Sequence, residues 1–198
     1  RRDNHLSVGF LGISHLLPAL TKCGQNELAF ALLEQKGNPG WLYSVINGAT
    51  TIWERWNSYI AETGTFGDVS MNSFNHYAYG SIGQWLYRTV LGIQTGENAD
   101  EAGYHKIFLT PSWGGTLTYA KGEQETPFGK IASSWEKKDN SIVYHCTIPA
   151  NTTAHLTLPA SGHNSVQILE GAAITDTAAV SGVADFELVS GSYTFKIC

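Results

Sequence analysis

Residues 142–148 of the chain read Ile-Val-Tyr-His-Cys-Thr-Ile. Apolar side chains occupy every second position, and successive side chains of a β-strand point to opposite faces, so this alternation predicts a strand with one buried face. The same alternation returns in residues 193–197, Tyr-Thr-Phe-Lys-Ile. A period of two therefore decides the fold of the chain beyond about residue 103.

Eight segments of the second half have this strand character, and turn residues such as Asp139-Asn140 separate them. Short strands joined by turns of this kind are typical of antiparallel neighbours, and eight of them predict an antiparallel β-sandwich. The predicted strands are residues 107–110, 116–121, 130–136, 142–148, 154–158, 166–169, 186–189 and 193–197.

Up to about residue 95 the apolar spacing is helical. Ile13, Leu16, Leu17 and Leu20 predict a first helix that ends near Gly24. A second helix is predicted from an N-cap at Asn26 towards Gly37, and a third from about Ser73 towards Gly92. The polar, glycine-bounded residues 95–103 separate this block from the strands. The fold class is therefore α+β, with a helical domain over residues 1–98 and a β-sandwich domain over residues 99–198.

The composition limits the function. Of 198 residues, 42% are hydrophobic and 15% charged, and the net charge is −5, which disfavours nucleic acid and anionic membranes as partners. No apolar run is long enough for a membrane span.

Three widely separated cysteines have no metal-ligand spacing, so they predict free thiols, with Cys23 and Cys146 buried. Neither a metal nor a cofactor is expected. The six Trp, nine Tyr and eight Phe suit contacts with a neutral, amphipathic ligand.

Residues 41–57 form a long aromatic segment between the second and third helices, and long irregular insertions are usually functional. If residues 50–57 are extended, Glu54 and Trp56 face the same side. A carboxylate beside an indole suits a sugar. The apolar face of the sugar can lie on the indole, while the carboxylate forms hydrogen bonds with water or sugar hydroxyls or exchanges protons with them. From the spacing alone, Glu54 pairing with a basic residue among core tryptophans is an equal alternative.

Six segments of the chain together carry a resemblance to one family. They are Gly9-Phe10-Leu11-Gly12, Thr50-Thr51-Ile52-Trp53-Glu54-Arg55-Trp56, Met71-Asn72-Ser73-Phe74-Asn75-His76-Tyr77, Gly83-Gln84-Trp85-Leu86-Tyr87, Tyr119-Ala120-Lys121-Gly122 and Thr126-Pro127-Phe128-Gly129. These segments resemble the bacterial α-L-rhamnosidases of glycoside hydrolase family 78, and the resemblance covers most of the chain. It implies the closing helices of an (α/α)6 barrel followed by a C-terminal β-sandwich, with residues 1–98 as the C-terminal part of the catalytic domain.

The resemblance implies release of terminal α-L-rhamnose with inversion, using one protonated acid and one carboxylate base. Glu54 matches the family's general base. The general acid belongs to an upstream stretch that no segment of this sequence matches, so we expect a fragment that supplies the base, lacks the acid and is inactive alone. The implied partners are rhamnose-containing glycosides or polysaccharides and the missing N-terminal part of the same protein. Self-association would cover helix faces that the absent helices leave open.

His76 matches a family histidine that contacts the sugar, although a histidine that satisfies a local carbonyl near a helix end is the alternative. Trp41, Trp53 and Trp56 are candidates for a sugar-stacking wall, and packing in the helical core is the alternative for each. Arg55 is expected to be structural. The alternative hypothesis for the whole chain is that it is a non-catalytic carbohydrate-binding or structural module, in which the β-sandwich supplies the function.

Overall fold

The computed structural model describes residues 5–96, 98–160, 165–171, 174–176 and 182–198. These residues form two compact units. The first unit extends to Trp85 and includes Gly114–Thr116, and the second comprises Leu86–Trp113 and Leu117–Cys198. Helices dominate the first unit and strands the second, as the change of periodicity predicts. The predicted domain boundary after residue 98 stays a prediction.

The first unit begins with helices α1 (Phe10–Lys22) and α2 (Asn26–Leu33), both close to the predicted positions. The apolar stripe of α1 is its inner face, since Ile13 and Leu17 are buried. A third short helix, α3 (Trp41–Ile46), was not predicted. Six residues span fewer than two turns, which is too short for a helical period to emerge from the sequence.

The predicted start of the next helix at Ser73 is wrong. A 3₁₀ turn begins at Ala78 (Ala78–Ser81) and continues as α4 (Ile82–Trp85) and then as a π-helical segment (Leu86–Val90). Residues 73–77 instead lie in a loop, because their backbone groups bond to residues 51–54. The extended conformation considered for residues 50–57 is not observed, and these residues lie in a loop as well. A short hairpin of β1 (Tyr59–Ile60) and β2 (Thr65–Phe66) follows.

Within the described residues, the second unit holds two five-stranded sheets, ordered β10-β11-β8-β4-β3 and β5-β6-β7-β12-β9. All eight predicted strands are present, and the short strands β3 and β10 are additional. Neighbouring strands are antiparallel except β4 and β8, which pair in parallel. The strands are β3 (Ile93–Thr95), β4 (Lys106–Leu109), β5 (Tyr119–Thr126), β6 (Gly129–Lys138), β7 (Ser141–Ile148), β8 (Thr153–Pro159), β9 (Val166–Glu170), β10 (Ile174–Asp176), β11 (Val183–Leu188) and β12 (Gly191–Ile197).

The core of the second unit lies between the two sheets, where Phe186 of β11 meets Phe195 of β12 at a ring-centroid distance of 5.1 Å. The alternating residues Tyr144, Cys146 and Ile148 of β7 are buried, as their period predicts. The chain entering the sandwich is fixed to β6 by two buried hydrogen bonds. Trp135 Nε1 donates to the Val90 carbonyl (2.8 Å), and the Ser133 hydroxyl donates to the Leu91 carbonyl (2.6 Å).

No helix in the described part of the chain is both long and apolar enough to cross a membrane. The three cysteines are unpaired. Cys146 is buried as predicted, but the predicted burial of Cys23 is wrong, since this residue caps the C-terminal end of α1 and is exposed.

Gly92 should be essential for the stability of the second unit. Its φ is +75°, and a Cβ at this position would clash with the backbone of Thr110 and Pro111. Gly103 has a similar φ of +84° but open space around it, so Gly103→Ala is the matched control. The control should cost about 1 kcal/mol from the left-handed conformation alone. Gly92→Ala should lower the free energy of unfolding, measured in urea, by clearly more than the control. Equal losses in the two variants would contradict this account.

Cys146 should be inert in the folded chain. Burial raises the pKa of its thiol to about 12, and the thiolate is the reactive form. At pH 8 a disulfide reagent should therefore titrate the exposed Cys23 and Cys198 quickly and Cys146 only after unfolding. The ordinary pKa is 9.0, so above pH 9 the unfolded chain releases this proton first and the free energy of unfolding should fall as the pH rises towards 12. Fast reaction of all three thiols in the folded chain would refute the prediction.

Candidate active site

Two loops of the first unit, residues 51–58 and 67–76, are joined by backbone hydrogen bonds. The Glu54 N–H donates to the Ser73 carbonyl (2.9 Å), and the His76 N–H donates to the Ile52 carbonyl (2.8 Å). The Thr51 hydroxyl donates to the Phe74 carbonyl. This pairing brings the two polar candidates of the sequence analysis, Glu54 and His76, onto adjacent loops.

Ser58 joins the other ends of the two loops and is fully buried. Its carbonyl accepts hydrogen bonds from the Gly67 N–H and from Asn72 Nδ2, both at 2.9 Å. Its hydroxyl accepts from the Arg55 N–H (3.2 Å). A Cβ at Gly67 would come within 2.6 Å of the Asn57 carbonyl, so the close approach of the loops requires glycine here. The loop that carries Ser73 is therefore held at both ends.

The Glu54 carboxylate is half-buried and lines an open hollow of about 340 Å³. Its Oε2 accepts a hydrogen bond from the Ser73 N–H (2.7 Å). Among the described residues, no basic side chain lies within ion-pair distance of it. The predicted alternative of a Glu54 ion pair is therefore not observed in this part of the chain. The hollow is lined by Gly9, Phe10, Glu54, Arg55, Trp56, Asn57, Met71 and Tyr79.

Arg55 also lines the hollow, but its ion pair is with Asp68, at 3.6 Å between Nη2 and Oδ2. The hydroxyl and the N–H of Ser70 bond to Asp68 Oδ1, and together with the charge of Arg55 they lower the pKa of this carboxyl. Both side chains of the pair are substantially exposed, so the pair adds little to stability. Its effect is to orient Arg55 beside the hollow.

His76 lies in a stack of three rings. Phe10 covers one face at a centroid distance of 4.8 Å, and Tyr77 is stacked at 5.2 Å. The Ala78 N–H donates to His76 Nδ1 (3.3 Å), so a neutral ring carries its proton on Nε2. His76 thus bonds to local backbone near the start of a helical segment, but it accepts from an N–H, whereas the alternative prediction was a bond to a carbonyl. The imidazole still keeps Nε2 as a donor at its edge.

The three tryptophans occupy two layers. Trp56 lines the hollow, stacks on Tyr79 at 3.7 Å and donates from Nε1 to the Val8 carbonyl (3.1 Å). Trp41 is buried behind it. Its ring is perpendicular to that of Trp56 at a centroid distance of 5.4 Å, and its Nε1 donates to the Tyr79 carbonyl (2.9 Å). Trp53 is also buried and packs against Phe74. Of the three, the structure brings only Trp56 to the surface of the hollow.

Five lining residues were not candidates in the sequence analysis: Gly9, Phe10, Asn57, Met71 and Tyr79. Gly9, Phe10 and Met71 lie in segments that carry the family resemblance, and Asn57 directly follows such a segment, so the resemblance was the signal that could have found them. Tyr79 lies within the predicted third helix, where apolar spacing does not distinguish a residue at a hollow from one packed in the core. In the described residues, no group of three His, Cys, Asp or Glu side chains could hold a metal ion.

Two family models match the chain. The model for the bacterial alpha-L-rhamnosidase 6 hairpin glycosidase domain matches residues 1–90, and the model for the bacterial alpha-L-rhamnosidase C-terminal domain matches residues 92–173. An alpha-L-rhamnosidase of Streptomyces avermitilis is 41% identical over 196 residues, which are 99% of this chain and 18% of that protein. The chain thus spans about a fifth of the length of this relative.

Solved structures give the same result. The crystal structure of Streptomyces avermitilis alpha-L-rhamnosidase complexed with L-rhamnose superposes with a TM-score of 0.89 at 41% identity, covering 100% of this chain and 18% of that one. The alpha-L-rhamnosidase of Dictyoglumus thermophilum superposes with a TM-score of 0.80 at 30% identity, covering 100% and 22%. The chain therefore belongs to the bacterial alpha-L-rhamnosidase family, as a C-terminal portion in which the closing helices of an (α/α)6 barrel precede an antiparallel β-sandwich.

Proposed function

We propose that this chain is part of an inverting glycoside hydrolase that releases terminal α-L-rhamnose from rhamnosides, and that Glu54 is its general base. The relatives named alpha-L-rhamnosidase support the substrate class. The observation that carries the proposal is the setting of the Glu54 carboxylate. One of its oxygens accepts the Ser73 N–H, it has no ion-pair partner among the described residues, and it lines a hollow that Trp56 also lines.

In the proposed chemistry, the two carboxylate oxygens of Glu54 have different roles. Oε2 is occupied by Ser73, whereas Oε1 has no hydrogen bond to a described residue and can accept a proton from a water in the hollow. As Glu54 takes this proton, the water oxygen bonds to the anomeric carbon and the bond to the leaving oxygen breaks on the opposite face. The acid that protonates the leaving oxygen comes from the part of the protein outside this chain. In inverting enzymes the two carboxyl groups are about 6.5–9.5 Å apart, which leaves room for the water.

Binding of the sugar is assigned to the aromatic residues and to His76. Trp56 offers an indole face to the apolar face of a deoxy-sugar, since flat contacts of this kind favour aromatic rings. In this proposal Trp41 and Trp53 belong to the same wall as its inner layer, where Trp41 fixes the Trp56 ring by edge contact. His76 donates from Nε2 to a sugar hydroxyl, because Nδ1 already accepts from Ala78.

The first unit also has apolar side chains in contact with solvent. Leu11 is 93% exposed, Val69 88% and Tyr77 87%. Large apolar surface of this kind is usually covered by a partner. The remaining helices of the barrel, in the N-terminal part of the same protein, are the proposed partner, and a second copy of the chain is the alternative when this part is absent.

One observation favours a second candidate function, carbohydrate binding by the sandwich without catalysis. A hollow of about 530 Å³ in the second unit is lined by Trp113 together with the polar residues Lys137, Asp139, Asn140 and Ser141. An indole beside hydroxyl, amide and carboxylate groups is a suitable surface for a sugar.

The variant Glu54→Gln should decide the role of the carboxylate. In the full-length protein, we expect kcat on an aryl α-L-rhamnoside to fall by roughly 10²–10⁴-fold, because the amide cannot accept the proton of the attacking water. The fold should be kept, since the amide oxygen can still accept the Ser73 N–H. The unfolding midpoint should therefore match that of the wild type.

Glu62→Gln is the matched control, because Glu62 is exposed and does not line the hollow. Its kcat should equal that of the wild type. Near-normal turnover of Glu54→Gln would reject the general-base assignment. Rhamnoside binding that survives Glu54→Gln but is lost in Trp113→Ala would favour the carbohydrate-binding module instead.

A further inference from the structure

Tyr79 lines the hollow and carries a hydroxyl that the proposed mechanism does not use. Its ring is packed between Trp56, parallel at 3.7 Å, and Phe10, tilted by 56° at 5.3 Å. Its carbonyl is held by Trp41 Nε1 (2.9 Å). The side chain is thus fixed on two sides and at the backbone. A ligand that bonds to its hydroxyl therefore loses little binding free energy to the conformational entropy of the ring.

Although Tyr79 as a residue is only 7% exposed, its hydroxyl is not fully enclosed, because the buried polar atoms without a partner in the described residues do not include it. The accessible end of this otherwise packed side chain is therefore its polar atom. Within the described residues the Tyr79 hydroxyl has no hydrogen bond. Tyr79 lines both the hollow and a narrow cavity behind it, which is shared with Trp41 and Trp53. A partner for this hydroxyl can therefore come from a molecule in the hollow.

Arg55 supplies a positive charge next to this phenol. Burial raises the pKa of Tyr79, and the charge of Arg55 acts on the same group in the opposite direction. The phenol is therefore protonated at neutral pH, so it can both donate and accept a hydrogen bond. Arg55 lines the hollow and the cavity behind it. Its known partner, Asp68, is 3.6 Å from a single guanidinium nitrogen, and a guanidinium has five N–H donors.

We propose that Tyr79 is a specificity-determining residue, whose hydroxyl forms a hydrogen bond with one ring hydroxyl of the sugar bound in the hollow, with Arg55 donating to the same hydroxyl. This inference rests on the proposed function. The sugar hydroxyl donates its proton to the phenol oxygen, and a guanidinium N–H donates to the hydroxyl oxygen. A pyranoside lacking that hydroxyl leaves the phenol without this partner and removes one hydrogen bond of Arg55, whose ion pair with Asp68 remains, and sites built to bond a substrate hydroxyl discriminate against analogues that lack it.

The test compares Tyr79→Phe with the wild type in the full-length enzyme. The variant removes one oxygen and keeps the stack on Trp56, so its unfolding midpoint should be unchanged. We expect kcat/KM on an aryl α-L-rhamnoside to fall by about 10–100-fold. Tyr59→Phe, a second tyrosine of the first unit that does not line the hollow, is the matched control and should stay within about twofold of the wild type.

A substrate series separates hydrogen bonding from packing. Aryl rhamnosides lacking the 2-, 3- or 4-hydroxyl should each be tested with the wild type and with Tyr79→Phe. For one of the three analogues the two enzymes should have equal kcat/KM, because the partner of Tyr79 is already absent, whereas the variant should remain defective on the other two. An equal defect on all three analogues, or no defect on the parent substrate, would overturn the inference.

The two proposals fail in distinguishable ways. If Glu54→Gln is inactive and Tyr79→Phe is fully active, only the assignment of Tyr79 is wrong. If Glu54→Gln keeps its turnover, the proposed base is wrong, whatever the result with Tyr79.

Discussion

The candidate site depends on a reciprocal pair of hydrogen bonds between Glu54 and Ser73. The Glu54 N–H donates to the Ser73 carbonyl, and the Ser73 N–H donates to the Glu54 carboxylate. The same residue therefore holds two loops together and lines the hollow, with one carboxylate oxygen bonded to Ser73. A hydrogen bond from a backbone N–H to a carboxylate is stronger than one between neutral groups, and it fixes the orientation of the acid before any ligand binds.

The wall of the hollow is rigid for a different reason. Trp56 and Tyr79 are stacked face to face, and Trp41 both contacts the Trp56 ring by its edge and bonds to the Tyr79 carbonyl. Each ring is thus held by another ring, both indole N–H groups donate to backbone carbonyls, and Tyr79 is fixed at its backbone. A surface built in this way does not have to be ordered when a sugar arrives, so less binding free energy is lost to conformational entropy. In the proposed function, the buried Trp41 therefore supports binding by fixing this surface without touching the ligand.

Local patterns predicted most of the fold. The alternation in residues 142–148 belongs to a strand whose partners on both sides are regular, so period and burial agree. The helix start near Ser73 failed because the backbone of residues 73–76 bonds to residues 52–54, far away in sequence, and no local pattern records such a bond. The six residues of α3 were too few to show a period.

The candidate site was predicted in part, and for reasons that differ between its residues. Glu54, His76 and Trp56 came from segments that resemble the rhamnosidases. The expectation that Glu54 and Trp56 share a surface rested on an extended strand, yet they line one hollow from a loop. Tyr79 reaches the hollow through stacking on Trp56, a contact across 23 positions that the spacing of apolar residues cannot show.

A crystal structure of the full-length Glu54→Gln variant with an uncleaved rhamnoside tests the central claim most directly. The account predicts the sugar ring against Trp56, with a water between residue 54 and the anomeric carbon on the face opposite the leaving group. A rhamnoside bound outside this hollow, or residue 54 on the side of the leaving group, would contradict it.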